Sequence, residues 1–124
     1  MKYITLARLK QLHACPEQRR LFKKLFGSRV AVTEEKLLPH ASKFDAWWAA
    51  ERFLSVGAFR KYRAARQSAL KSYERVTKAP MDEYSNSNIF SDAAFAKYNG
   101  FIVPACEKFE RAKMAAFIRL YNQE

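Results

Sequence analysis

Three tyrosines, Tyr62, Tyr73 and Tyr84, recur at intervals of eleven residues in the middle of the chain. Eleven residues make almost three turns of an α-helix, so successive rings drift by only ~20° around the helix axis. Three further apolar residues fall near the same stripe: Phe59, Leu70 and Val76. The spacing therefore predicts one long amphipathic helix over roughly residues 57–79, with a buried side and a kink near Pro80.

The opposite side of this predicted helix is basic. Its members are Arg60, Arg63, Lys71, Arg75 and Lys78. Residues 57–78 contain seven Lys or Arg and a single acid, Glu74. At about 1.5 Å per residue the basic side extends over ~27 Å, which is long enough to follow several phosphates of a nucleic acid. A row of Lys and Arg is also typical of an ordinary solvated helix face, so both interpretations stay open at this point.

A second basic segment lies near the start of the chain. Residues 1–30 hold eight Lys or Arg against one Glu, and a helix predicted there presents Arg19, Arg20, Lys23 and Lys24 on one side. The formal net charge of +11 at pH 7 bears on the partners of the protein rather than on its fold. The expected partners are nucleic acid, a nucleoprotein complex or an acidic protein surface. A membrane is not expected, because no stretch of the sequence stays uncharged long enough to insert.

The composition favours helices. Ala, Leu, Lys, Arg and Glu are abundant, whereas runs of Val, Ile or Thr are few. A chain of 124 residues that is 49% hydrophobic can bury one modest core. We therefore predict an all-α fold, a compact single domain over residues 1–124 with about six helices. Only residues 29–33 have strand character, and that run is too short to build a sheet alone.

Start and stop signals divide the first half of the chain into elements. A first helix is predicted over residues 4–13 from the spacing of its leucines. A second is predicted over residues 16–26, because a proline opens it and a glycine follows it. Thr33 and Asp45 are placed to cap two shorter helices, of which the second covers residues 46–54.

The second half of the chain is predicted to be more broken. Ser and Asn residues predict a loop at residues 85–88. A short helix is predicted over residues 93–98, with Asn99-Gly100 as its end. The last helix is then expected to start near Pro104 and to run to about Tyr121.

Residue types with catalytic or metal-binding chemistry are few and scattered. His13 and Cys15 are close in sequence, but His40 and Cys106 stand apart, so their spacing does not complete a metal site. Cys15 lies at a predicted helix N-terminus, where the pKa of a thiol can fall, but an ordinary helix start explains this position as well. The three glycines are too far apart for a phosphate-binding loop. We therefore expect no enzymatic activity, no metal and no cofactor, and we expect the two thiols to stay reduced.

Six motifs in the first two thirds of the chain resemble those of a known group of proteins. They are Ala14-Cys15-Pro16-Glu17-Gln18, Leu21-Phe22, Phe26-Gly27, Val30-Ala31-Val32-Thr33-Glu34-Glu35, Phe44-Asp45 and Trp48-Ala49-Ala50. The chain resembles a family of small phage and prophage proteins of unassigned function, whose members open in this way and continue into eleven-residue units built on a Tyr and an Ala-Pro. Ala79-Pro80 and the three tyrosines would be the remnant of those units, and the sequence departs from the pattern after Tyr84.

The resemblance implies no catalytic residues. It implies a phage accessory protein in the cytoplasm of a bacterial host cell. Small phage proteins without catalytic motifs often act by binding host machinery, and inhibitors of CRISPR complexes are one such class. The inference from the resemblance to such a function is an analogy.

Two hypotheses of function result. In the first, a non-enzymatic phage or prophage accessory protein binds nucleic acid or a nucleoprotein complex through its basic helix faces, as a host-defence inhibitor of the anti-CRISPR type would. In the alternative, the protein is a protein–protein interaction or scaffolding module that docks through its long helix on a partner or on a second copy. The sequence leaves the oligomeric state open.

Overall fold

Two long helices run side by side, and shorter elements pack near one end of the pair. The structure, a computed structural model, describes residues 2–86 and 92–124, with side chains at residues 2–82 and 95–124. Its elements in chain order are β1 (Tyr3–Thr5), α1 (Leu6–Gln11), α2 (Pro16–Phe26), β2 (Arg29–Ala31), α3 (Glu34–Leu37), a 3₁₀ turn (Leu38–His40), α4 (Ala46–Phe53), α5 (Val56–Asn86) and α6 (Asp92–Gln123). The prediction of an all-α fold of about six helices, one of them long and amphipathic, is confirmed.

The first predicted helix begins later than expected, because residues 3–5 form a strand. β1 and β2 pair antiparallel, with Ile4 opposite Val30, and both of these side chains are buried. Thr5 then caps α1, since its Oγ1 accepts a hydrogen bond of 3.1 Å from the amide of Arg8. The leucine spacing correctly indicated a helix, but it gave no sign of a partner strand more than twenty residues away.

The start and stop signals of α2, α3 and α4 are confirmed. Pro16 opens α2, and Gly27 ends it with φ of 76°, a conformation that glycine adopts without a steric penalty. Thr33 Oγ1 accepts from the amide of Lys36 at 3.3 Å, and Asp45 Oδ1 accepts from the amide of Trp48 at 3.0 Å. Each cap satisfies an amide at the first helical turn that has no partner within the helix.

The helix α5 extends beyond its predicted end. It begins at Val56, where Ser55 Oγ accepts a hydrogen bond of 3.2 Å from the amide of Ala58. It continues through Pro80 to Asn86, so the prediction of a loop at residues 85 and 86 is wrong. Residues 87 and 88 of that predicted loop lie outside the described residues. A proline in a helix interior removes one backbone hydrogen bond, and the packing of α5 on α6 offsets part of this loss.

The helix α6 is continuous where two helices were predicted. It runs through Asn99-Gly100 and Pro104 without interruption. A glycine in a helix interior costs only about 1 kcal/mol relative to alanine. That cost is too small to end a helix that packs along a neighbour over most of its length. The stop signal at Gly100 was therefore overridden by tertiary packing.

Three observations fix the antiparallel arrangement of α5 and α6. The amide of Ser55, just before α5, bonds to the side chain of Glu124, just after α6. Further along, the rings of Tyr73 and Phe109 lie 5.6 Å apart, and Tyr73 also contacts Cys106. The residue numbers thus rise along one helix as they fall along the other.

The main core lies at the end of the α5–α6 pair that contacts the shorter elements. Its most buried large side chains are Tyr62, Phe117 and Val32. Among the described side chains, those of α5 join this core only as far as Ala65, and those of α6 only from Met114 onward. We call the remaining part of the pair, residues 66–82 and 95–113, the outer half. None of the helices within the described ranges is both long enough and apolar enough to cross a membrane.

Candidate basic interface

The predicted basic side of α5 faces solvent. Tyr62 and Thr77 are almost completely buried on one side of the helix, with 0% and 1% of their surface exposed. The five predicted cations are exposed on the other side: Arg60, Arg63, Lys71, Arg75 and Lys78. We call these five residues the α5 basic face. At about 100° per residue, three of them project within ~20° of one direction, which makes a nearly straight row: Arg60, Lys71 and Lys78.

The cations of the α5 basic face are not neutralised by neighbours. Where side chains are described, none of the five has a carboxylate within the 4.0 Å that defines an ion pair; the recorded pairs are Glu51–Arg52 at 3.9 Å and Glu110–Lys113 at 3.0 Å. Glu74 is exposed near this face and is the single acid in the segment. The five charges are therefore available to an external anion.

The basic residues of α2 fall into two groups. Arg20, Lys23 and Lys24 are exposed, on the side of α2 away from the buried Phe22. Arg19 is half-buried, and its Nε is shielded from solvent without a hydrogen-bond partner among the described residues. We call Arg20, Lys23 and Lys24 the α2 basic face, and Arg19 is not part of that open surface.

The helices that carry the two basic faces have different packing partners. α2 packs on α1, whereas α5 packs on α6 and α4. Across the described chain, α2 and α5 do not pack side by side. The sequence leaves open whether the two basic faces form one patch, and DNA binding by variants of each face tests that question.

Arg66 has a different role from the other cations of α5. Its guanidinium lies over the ring of Trp47 at 5.1 Å and over Phe109 at 6.0 Å. It is half-buried, and it thus links α4, α5 and α6 through cation–π contacts. Helical periodicity puts Arg66 at the margin of the basic side, and no local pattern could have shown its contacts with Trp47 and Phe109.

The side chain of Tyr62 is buried next to Trp47 and Phe59. Burial raises the pKa of Tyr62 to about 12, partly offset by the nearby charge of Arg66. Its oxygen is shielded from solvent and has no hydrogen-bond partner in the part of the chain that the structure describes. Tyr62 therefore stays neutral at physiological pH and acts as a packing residue, as the eleven-residue pattern indicated.

Tyr73 contacts one of the two thiols. Tyr73 Oη and Cys106 Sγ lie 3.4 Å apart, and this hydrogen bond raises the pKa of Tyr73 to about 12. Cys106 and Cys15 are both exposed free thiols.

Among the described residues, no three His, Cys, Asp or Glu side chains lie close enough together to hold a metal ion.

The outer half of the α5–α6 pair exposes large apolar side chains. They are Val76, Met81, Phe95, Phe101 and Val103, with exposed fractions between 44% and 56%. Val76 was predicted to lie on the buried stripe, and its exposure shows that this prediction is wrong. Phe101 and Val103 are two residues apart on one helix and project ~160° away from each other, so the exposed apolar side chains do not share a single face.

Comparison with protein-family models, with curated proteins and with solved structures gave no match to this chain.

Proposed function

We propose that the protein binds the phosphate backbone of nucleic acid, free or within a nucleoprotein complex, through the α5 basic face and without catalysing a reaction. The observation that carries this proposal is the row of exposed cations that have no ion-pair partner among the described side chains. Lys and Arg that neutralise phosphates release condensed counterions, and this release supplies most of the affinity of non-specific binding.

The geometry of the row suits backbone contact rather than base recognition. Arg60 and Lys78 are eighteen residues apart on a helix, a distance of ~27 Å at about 1.5 Å per residue. Side chains spaced in this way contact phosphates, which position a protein but carry no sequence information. We therefore propose binding with low sequence specificity and steep salt dependence.

The test is a fluorescence anisotropy titration of a labelled DNA duplex at about 50 and 200 mM salt. The variant Arg60→Ala/Lys71→Ala/Lys78→Ala removes the row. The matched control, Lys108→Ala/Arg111→Ala/Arg119→Ala, removes three exposed cations of α6 and changes the net charge equally. The row variant should bind more weakly with a flatter salt dependence, and the control should resemble the wild type. Equal losses in both variants would show that net charge alone attracts DNA, and the proposal would fail.

The biological setting is proposed from the resemblance to phage and prophage accessory proteins. In that setting the target is a nucleoprotein complex of the bacterial cytoplasm, such as a CRISPR effector, and the protein is a host-defence inhibitor. The test is inhibition of target cleavage by a reconstituted effector in the presence of excess competitor duplex. Inhibition that the competitor abolishes would assign the effect to free nucleic acid instead.

A second candidate function is self-association through the outer half of α5 and α6. The exposed apolar side chains there favour it, because pairing with a second copy would remove side chains such as Val103 from water. Multi-angle light scattering of the variant Val103→Glu tests this function. The control is Val56→Glu, which changes an exposed valine at the start of α5, away from the outer half. A dimer that only Val103→Glu dissociates would support this function, and a monomeric wild type at all concentrations would exclude it.

A further inference from the structure

A cavity of about 410 Å³ opens between α2 and α4 and reaches the main core. Met114 and Phe117 of α6 line its inner part. Six aromatic side chains line it, together with aliphatic residues of the core: Phe22, Phe26, Phe44, Trp48, Phe53 and Phe117. None of the lining residues belongs to α5, so the cavity is separate from the α5 basic face.

Small side chains on both sides help to leave this space open. Ala14 lies before α2 and Ala49 lies in α4, and both line the cavity. The carboxamide of Gln18 spans the gap, since its Nε2 donates a hydrogen bond of 3.1 Å to the carbonyl oxygen of Lys43. α2 and α4 do not pack directly on each other along their described lengths. The aromatic side chains therefore surround a space that they do not fill.

The mouth of the cavity is polar. His13, Cys15 and Asp45 line it and are exposed, and Gln18 is half-buried beside them. Asp45 uses Oδ1 to cap α4, which leaves its second carboxylate oxygen as an acceptor. Gln18 uses its amide nitrogen towards Lys43, which leaves its carbonyl oxygen as an acceptor as well. The mouth thus offers acceptors to a donor group, and the interior offers aromatic rings.

We propose that this cavity is a binding site for a small, flat aromatic molecule that carries a hydrogen-bond donor at the end facing the mouth. An engineered cavity of roughly 150 Å³ accommodates benzene, so a volume of about 410 Å³ suits two or three rings. An apolar interior with a few polar groups at the entrance is the usual construction of small-molecule sites. The ring edges and faces of the wall provide offset and edge-to-face packing for such a ligand.

The probe for this site is 2-naphthol, a flat molecule of two fused rings with an O–H donor at one end, whose fluorescence changes when it passes from water into apolar surroundings. The binding position is read from the methyl groups of ¹³C-labelled methionine by NMR. Met114 lines the cavity and is buried, whereas Met81 is exposed in the outer half of α5. Ring currents of a ligand in the cavity shift the methyl signal of Met114 and leave that of Met81 in place.

The variant Ala49→Leu narrows the cavity, and Ala64→Leu places the same side chain on the exposed surface of α5 as the control. Saturable fluorescence with a shift of Met114 is expected in the wild type and in Ala64→Leu, with at least tenfold weaker binding in Ala49→Leu. Methyl spectra recorded without probe verify that both variants are folded. If Ala49→Leu does not fold, Ala49→Gly, which enlarges the cavity, replaces it and should change the affinity for the probe relative to the wild type. A shift confined to Met81, no shift at all, or equal affinity in all folded variants would overturn the proposal.

Discussion

The backbone amide of Ser55 donates a hydrogen bond of 2.8 Å to Oε1 of Glu124. This contact joins the start of α5 to the residue that follows α6. A carboxylate at a helix N-terminus is stabilised by unpaired amides and by the helix dipole. Hydrogen bonds from Ser55 hold the pKa of Glu124 below its ordinary value, and the charge of Lys2 acts in the same direction.

Glu124→Gln should therefore change the pH dependence of stability. A lowered pKa in the folded state means that the contribution of Glu124 is present at neutral pH and is lost as the pH falls through that lowered pKa. Because Ser55 and Glu124 are both exposed, the free energy of unfolding of the variant should be lower by at most about 1 kcal/mol at pH 7. Thermal unfolding should show wild type and variant differing at pH 7 and converging only as the pH falls below the lowered pKa of Glu124. A difference that is the same at both pH values would contradict the assigned hydrogen bond.

Tyr62→Phe should not destabilise the protein. The hydroxyl of Tyr62 is buried without a partner among the described residues, and a buried polar group without a hydrogen bond costs about 1–3 kcal/mol. Removing it leaves the ring in its contacts with Trp47 and Phe59. The free energy of unfolding from urea titration should stay equal or rise. Tyr62→Ala is the contrasting variant, for which a loss of about 3–5 kcal/mol is expected from the lost ring. If the free energy of unfolding of Tyr62→Phe fell by more than about 1 kcal/mol, the hydroxyl of Tyr62 would have to make a stabilising hydrogen bond, and the prediction would be wrong.

The N-cap of α4 gives a third prediction. Asp45→Ala removes the acceptor for the amide of Trp48 and should lower the free energy of unfolding by about 1 kcal/mol. Asp45→Asn retains an acceptor oxygen and should lose much less, so it is the matched control. Urea unfolding monitored by tryptophan fluorescence suits this measurement, because Trp47 and Trp48 lie in the first turn of α4. Equal losses in both variants would assign the effect to the charge of Asp45 rather than to the cap.

Local signals account for the elements that the sequence predicted well. Pro16, Gly27, Thr33 and Asp45 act within three or four residues of their own position, so their effects are visible without knowledge of the fold. The exposure of the α5 basic face also follows from helical periodicity alone.

Long-range contacts account for what the sequence did not predict. The strand β1 forms because Ile4 pairs with Val30 of β2. The helix α6 continues through Gly100 because it packs on α5. Arg66 turns towards Trp47 and Phe109, which come from two other helices. The cavity is lined by residues from Ile4 to Phe117, which only the folded chain brings together, so no motif in the sequence signals it.

The α2 and α5 basic faces lie on helices that do not pack side by side, and this leads to the last prediction. Arg20→Ala/Lys23→Ala/Lys24→Ala removes as much charge from α2 as the row variant removes from α5. Each phosphate contact that is lost should reduce the slope of log K against log salt on duplex DNA by about 0.9. If the α5 basic face alone touches the backbone, the α2 variant should retain the wild-type slope, with an affinity reduced only through the weaker overall field. Titrations at several salt concentrations measure both quantities. An α2 variant with a slope as flat as that of the row variant would show that both faces contact phosphates and act as one binding surface.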